Sequence, residues 1–160
     1  MEMAYVGIDP GGSGCAALLT NSQGIKLHDW SGMGAARECV SVWSSKFEIL
    51  KIGIEDPAYL PHRSGAYGIK GLWRNVGQWE GILTGLGLDW VFIPTKTWRQ
   101  IIPKRGKNKS VKASSVEFAK SLFPKAQSLI YLAKHHDRAE AILIAVYLRA
   151  SEKMRRRRIQ

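Results

Sequence analysis

Cysteine is scarce in this chain: Cys15 and Cys39 are the only two of 160 residues, with no CxxC pair. Two thiols so far apart make no disulfide framework, and with four histidines and no paired cysteines there is no zinc pattern either. Long hydrophobic runs are missing as well. No stretch approaches the roughly 18 apolar residues of a membrane span, and the N-terminus has no basic segment leading into a long apolar one. These absences lead to the expectation of a protein of the reducing cytoplasm that does not enter a membrane. Negative charge is the third shortage, with 13 Asp and Glu against 24 Lys and Arg, for a net charge of +11. A surplus of that size on a chain long enough for one domain with its own core favours a polyanionic partner. The cations are clustered, in Lys104-Arg105-Gly106-Lys107-Asn108-Lys109 with Lys112, and again in Arg155-Arg156-Arg157-Arg158.

Against that basic background the few acids are placed in a pattern. Tyr5-Val6-Gly7-Ile8 reads as a buried strand, Asp9 stands at its end, and Pro10-Gly11-Gly12 cannot continue a ladder. Cys15 to Thr20 and Ile25 to Trp30, separated by Asn21-Ser22-Gln23-Gly24, complete an antiparallel meander of three strands. Ala36, Val40, Trp43, Phe47 and Leu50 fall at steps of four and three and predict one helix face. Ile52-Gly53-Ile54-Glu55-Asp56-Pro57 repeats the opening device of a short strand with carboxylates at its end. Residues 60–68 read as a loop beside the site. The stripe Ile69, Leu72, Trp73, Val76, Trp79, Leu83 and Leu86 predicts a second helix whose tryptophans pack in the core. Trp90 to Ile93 is a further strand, expected to pair in parallel through that crossover helix.

Between Pro94 and Ser110 the chain reads as irregular and basic, with Lys96, Arg99, Lys104, Arg105, Lys107 and Lys109 interleaved with Trp98 and glycine, as in a phosphate-contacting loop. A third helix follows, opened by Lys109, with Val111, Ser115, Phe118, Ala119 and Leu122 on one face and Pro124 beyond its end. The last begins around His135-His136-Asp137-Arg138-Ala139-Glu140 and follows the stripe Ala139, Ile142, Leu143, Val146 and Ala150. Asp137 and Glu140, three apart, share its first turn. Acids there also suit the helix dipole and cap, but Glu140 adjoins the packed stripe and needs a partner. Residues 1–153 are expected to form one domain, followed by a basic tail over 154–160.

Asp9, Glu55, Asp137 and Glu140 brought together would repel one another unless neutralised. Hard divalent cations do this. Oxygen-only ligands select Mg²⁺ or Mn²⁺, and two such ions can hold the attacking water and the leaving oxygen of a phosphodiester. The order Gly7-Ile8-Asp9-Pro10-Gly11, Ile54-Glu55, then Asp137-x-x-Glu140-Ala141 before an apolar helix, with Leu122-Phe123-Pro124 preceding it, resembles the RuvC family of Holliday junction resolvases, its phage-type branch in particular. The resemblance covers nearly the whole chain. It implies an α/β, ribonuclease H-like fold, a five-stranded mixed sheet flanked by helices, and a homodimer that cuts four-way DNA junctions symmetrically with Mg²⁺. Phage members act in the cytoplasm of a bacterial host.

On this reading Asp9 anchors both ions, Glu55 binds one, and Asp137 and Glu140 complete the set; family members more often carry Asp at the last position. Lys109 is the first choice for offsetting transition-state charge, His136 is a candidate for orienting water, and Tyr59 or Tyr67 for wedging into the junction. Lys104, Arg105, Lys107, Lys109 and Lys112 are the expected DNA contacts. Three alternatives stand beside it. Gly7-Ile8-Asp9-x-Gly11-Gly12-Ser13 also resembles the first phosphate loop of sugar kinases and actin-like ATPases, which need a second lobe and loop. A broad debranching nuclease and a non-catalytic branched-DNA-binding module are the others.

Overall fold

A computed structural model describes residues 1–59, 66–103, 110–132 and 135–157. Its centre is a five-stranded mixed sheet of order β3-β2-β1-β4-β5, with β1 Glu2–Asp9, β2 Cys15–Thr20, β3 Ile25–Asp29, β4 Phe47–Asp56 and β5 Trp90–Pro94. β1, β2 and β3 form the antiparallel meander, whereas β4 lies parallel to β1 and β5 parallel to β4. The helices are α1 Met33–Lys46, α2 Ala66–Gly85, the short α3 Thr95–Trp98, α4 Val111–Leu122 and α5 His136–Arg157. The expected fold class, α/β with three antiparallel strands and then parallel ones, is the observed one.

Strand periodicity sorts the two faces. Ala4, Val6 and Ile8 of β1 and Ile52 and Ile54 of β4 pack with Val40 and Trp43 of α1 and Trp79 and Leu83 of α2. The alternate residues face α5, whose early turns are buried almost all round, from Ala139 to Ala145. Two of those alternate positions are glycines. A methyl group on Gly7 would stand 2.2 Å from the carbonyl oxygen of Ala141 and 2.6 Å from the nitrogen of Ala145, so α5 lies backbone against backbone on β1. On Gly53 it would meet side chains, Ile93 at 2.8 Å and Leu148 at 3.1 Å. Gly7→Ala should therefore cost about 3 kcal/mol, since only displacement of the helix makes room. Thermal melting checks this as a fall in Tm of roughly 10 °C.

Several sequence expectations need correction. Phe47 and Leu50, read as the end of the first helical stripe, belong to β4: α1 stops at Lys46 and the chain turns directly into the strand. Their spacing fits a helix by coincidence, and β4 gains pairing with β1 that a longer helix would forfeit. Trp79 is buried as expected, but Trp73 is 48% exposed. At 100° per residue Trp73 sits on the order of 100° away from the stripe of Val76, Trp79, Ile82 and Leu83. α2 begins at Ala66, earlier than the apolar stripe indicated. The stretch after Pro94 is less irregular than its composition suggests, because Thr95 to Ile101 is helical, first α and then 3₁₀.

Candidate metal centre

Asp9 and Glu55 are carried by neighbouring strands. Ile8 is paired with Ile54, so the next residue of each strand brings a carboxylate to the same place on the α5 face. Past Gly7 and Gly53 the sheet meets the first turns of α5, and Glu140 points back at both acids. Oxygens of Asp9, Glu55 and Glu140 lie within 4.8 Å of one another, and all three residues are buried.

Each glutamate is held by donors on one oxygen. Oε1 of Glu55 accepts from the Thr95 hydroxyl at 2.9 Å and from the Trp98 indole N–H at 3.0 Å. Oε1 of Glu140 accepts from Nη2 of Arg99 at 2.8 Å and from the Ser115 hydroxyl at 3.1 Å. Residues 95, 98 and 99 thus face the acids from one short helical segment. The Arg99 guanidinium also lies over the Trp98 ring, 4.9 Å from its centroid. Asp137 stands beside the cluster rather than within those 4.8 Å. Its two oxygens engage the Ser13 hydroxyl and Nε2 of His136, both at 2.6 Å, and Nζ of Lys112 lies 2.9 Å from that same imidazole nitrogen.

Crowding has the electrostatic result expected of it. Burial, and then the charges of Glu55, Glu140 and Asp137, drive the Asp9 carboxyl well above the ordinary carboxylate range, and a hydrogen bond with Glu55 adds to the rise. Burial pushes Glu140 up to about 7 although Arg99 opposes it. Carboxylates so placed hold their protons unless a cation replaces them. The donor set is oxygen only, which suits a hard divalent ion, so the residues present fit the group the sequence calls for.

The four acids expected from sequence are thus placed at one end of the sheet, three in direct proximity and Asp137 beside them. Lys112 is also there, through His136. Lys104, Arg105, Lys107 and Lys109 lie outside the described residues. Tyr59 ends a 3₁₀ turn from Pro57 and Tyr67 lies in α2, but their side chains are likewise outside what is described. The positioning residues Thr95, Trp98 and Ser115 escape a reading of motifs, and Arg99, expected on phosphate, meets the Glu140 carboxylate instead. Their signal was the i, i+3, i+4 spacing of Thr95, Trp98 and Arg99. Asn75 of α2 was missed too: its Oδ1 accepts the Gly11 N–H at 2.9 Å and ties the turn behind Asp9 to the helix.

A mixed sheet in this order, with helices on both faces and acids at the ends of its central strand β1 and of the adjacent β4, defines the ribonuclease H-like fold. Two solved structures share its RuvC form. Thermus thermophilus RuvC in complex with a Holliday junction substrate superposes with a TM-score of 0.63 at 14% identity, covering 95% of this chain and 96% of that one. A second T. thermophilus RuvC structure gives 0.58 at 15% identity over the same shares. In sequence, the chloroplastic Holliday junction resolvase MOC1 of Chlamydomonas reinhardtii is 33% identical over 94 residues, 59% of this chain. The match spans 10% of that relative's length. No protein-family model matches the chain. The resemblance to RuvC-family resolvases read from the sequence is therefore found again in a curated relative and in the fold.

Proposed function

We propose that this chain is a metal-dependent, structure-selective DNA endonuclease that resolves four-way junctions by symmetric phosphodiester hydrolysis. The observation that carries the reading is the convergence of Asp9, Glu55 and Glu140 within 4.8 Å on a chain of net charge +11. An acidic centre on a basic protein is contradictory for a simple anion binder and coherent for a site that receives phosphate through cations. Asp9, Glu55 and Glu140, with Asp137 at the margin, would hold two Mg²⁺ ions, or Mn²⁺ in their place. Such ions, when bound, neutralise phosphoryl oxygens and acidify an attacking water.

The chain's own residues do the rest. Thr95 and Trp98 fix the rotamer of Glu55, and Arg99 and Ser115 that of Glu140, so that the acids are preorganised. Arg99 and Lys112 bring positive charge to the edge of the cluster, where an entering phosphodiester carries its own negative charge. Residues 1–153 are the nuclease domain in this account.

Cleavage of a synthetic four-way junction against linear duplex of the same sequence, with Mg²⁺ and with EDTA, tests the proposal. Paired symmetric cuts on the junction alone, dependent on metal, are expected. Equal cutting of forks, flaps and junctions would replace the resolvase by a general debranching nuclease, and tight binding without cutting would leave a branched-DNA-binding module.

Symmetric cutting calls for two copies, and the homodimer is part of this proposal. The exposed Trp73 supports an α2 contact: it shares a helix face with Gly77 and Gly81, where an added side chain would meet nothing within 4 Å. Trp73→Glu should convert the dimer to a monomer in light scattering with the far-ultraviolet circular dichroism unchanged, and Tm should lose its dependence on protein concentration. A variant that stays dimeric would move the contact elsewhere.

A further inference from the structure

One basic run singled out in the sequence plays no part in the acidic site. α5 carries Arg155-Arg156-Arg157 as its last residues, while its first turns supply Asp137 and Glu140. At 1.5 Å per residue Arg156 stands about 28 Å along the axis from Asp137. The arginines therefore occupy the opposite end of the sheet from the acids. Arg149, two turns before them, reaches the carbonyl of Thr20 at the far end of β2, and Glu152 and Arg156 act electrostatically on Tyr5 near the start of β1.

Charge at this end is unbalanced. Lys153, Arg155, Arg156 and Arg157 are all exposed, and Glu152 is the one acid between Ser151 and Arg157. Glu152 pairs with both Arg155 and Arg156, at 3.7 and 3.5 Å, long contacts on an open helix surface. Such pairs are weak and leave the guanidinium forks available. A helix C-terminus favours cations, but one or two satisfy its dipole, and four within five residues repel one another. Lys26 and Lys46 lie at the same end, beside Phe47, where β4 begins, and with the helix cations they outnumber the acids there, Glu2, Glu48 and Glu152. A surface that keeps such repulsion is suited to a regular array of negative charge. Arginine forks match phosphate, and Met154 is the single exposed apolar residue of the turn, which argues for a nucleic-acid backbone over a lipid surface.

We propose that Lys153, Arg155, Arg156 and Arg157 form a second DNA-contacting surface that grips the phosphates of a duplex arm away from the point of cleavage. Some 28 Å corresponds to about eight base pairs of B-DNA, so the arginines and the acids cannot serve the same phosphates. The identity of the polyanion rests on the nuclease reading above; the position of the surface does not.

The test compares the full chain with its R155Q/R156Q/R157Q variant, in which glutamine keeps the helix. Binding of a labelled junction and of linear duplex is followed by fluorescence anisotropy in EDTA between 50 and 300 mM KCl. The expected result is a salt slope of log K flattened by about 2 to 3, near 0.9 for each lost phosphate contact, with roughly tenfold or greater weakening at the lower salt. Single-turnover cutting at saturating protein should be unchanged, and the triple Arg→Lys variant should restore the slope. A slope and affinity equal to wild type would overturn the proposal. So would a variant that keeps its DNA affinity and loses binding to phosphatidylserine vesicles. Because the slope is measured without metal, a wild-type protein that never cuts but shows the slope change would sink the nuclease reading and leave this surface standing; cutting with an unchanged slope would do the reverse.

Discussion

Replacing Asp9 by asparagine should lower the single-turnover rate of junction cleavage on the order of 10³-fold or more while leaving junction binding within about threefold. The asymmetry follows from where Asp9 sits. It is buried at the end of β1, its oxygens are among those of Glu55 and Glu140 within 4.8 Å, and no basic side chain pairs with it among the described contacts. An amide there cannot carry the charge that a divalent ion needs. The same substitution should raise the Tm of the metal-free protein at pH 8, because an amide escapes the cost of bringing an acid that is ionised in the unfolded chain into a buried site that disfavours its charge. Loss of cutting together with gain of stability separates a ligand from a structural acid, whose removal would lower both. Cleavage retained within tenfold would exclude Asp9 from the chemistry.

The metal-free protein should also lose stability as pH rises from 5 to 8, contrary to the usual behaviour of paired carboxylates. Glu140 has a folded-state pKa of about 7 against 4.5 for the free residue, and Asp9 shifts in the same direction. The fold therefore favours the protonated acids. Their contribution is complete below the unfolded-state value and disappears as pH passes through the folded one, a change on the order of 3 kcal/mol for Glu140. Asp29 and Glu2, held low by Arg138 and Ser22, act with the opposite sign, but they do so below the window of pH 5 to 8. Thermal melts in EDTA should show Tm falling by roughly 10 °C across that window. Millimolar Mg²⁺ or Mn²⁺ should restore it at pH 8 and do little at pH 5. A metal-free Tm that is flat or rising would remove the acid cluster as its cause.

The meander, the parallel crossover and the last helix were legible because each rests on a local signal: apolar strands ending in Asp9 and Glu55, turn residues between them, and a stripe from Ala139 onward. The acids were legible for the same reason, since a carboxylate at a strand end or beside a packed helix stripe stands out against its neighbours. What holds those acids was not. Trp98 and Arg99 are joined to Glu55 and Glu140 across 43 and 41 residues of sequence, and nothing in a run of basic and aromatic residues distinguishes an arginine that meets phosphate from one that meets carboxylate. The end of α1 was misread because Phe47 and Leu50 satisfy a helical period while β pairing with a distant strand decides their state. Trp73 was misplaced because a stripe lists apolar residues without saying which lie at its margin.

The contact of α5 with Gly7 and Gly53 bears on which ion the centre would accept. Two of the three close acids are borne by strands and the third by the helix, so the gap between them is a thickness, and at Gly7 that thickness is set by main chain touching main chain. Side chains can swing to suit a larger cation; a helix seated on a sheet cannot. Mg²⁺ takes oxygens at about 2.0 to 2.1 Å and Ca²⁺ at about 2.3 to 2.6 Å. Discrimination by ionic radius would then be written in Gly7, a residue that carries no ligand at all.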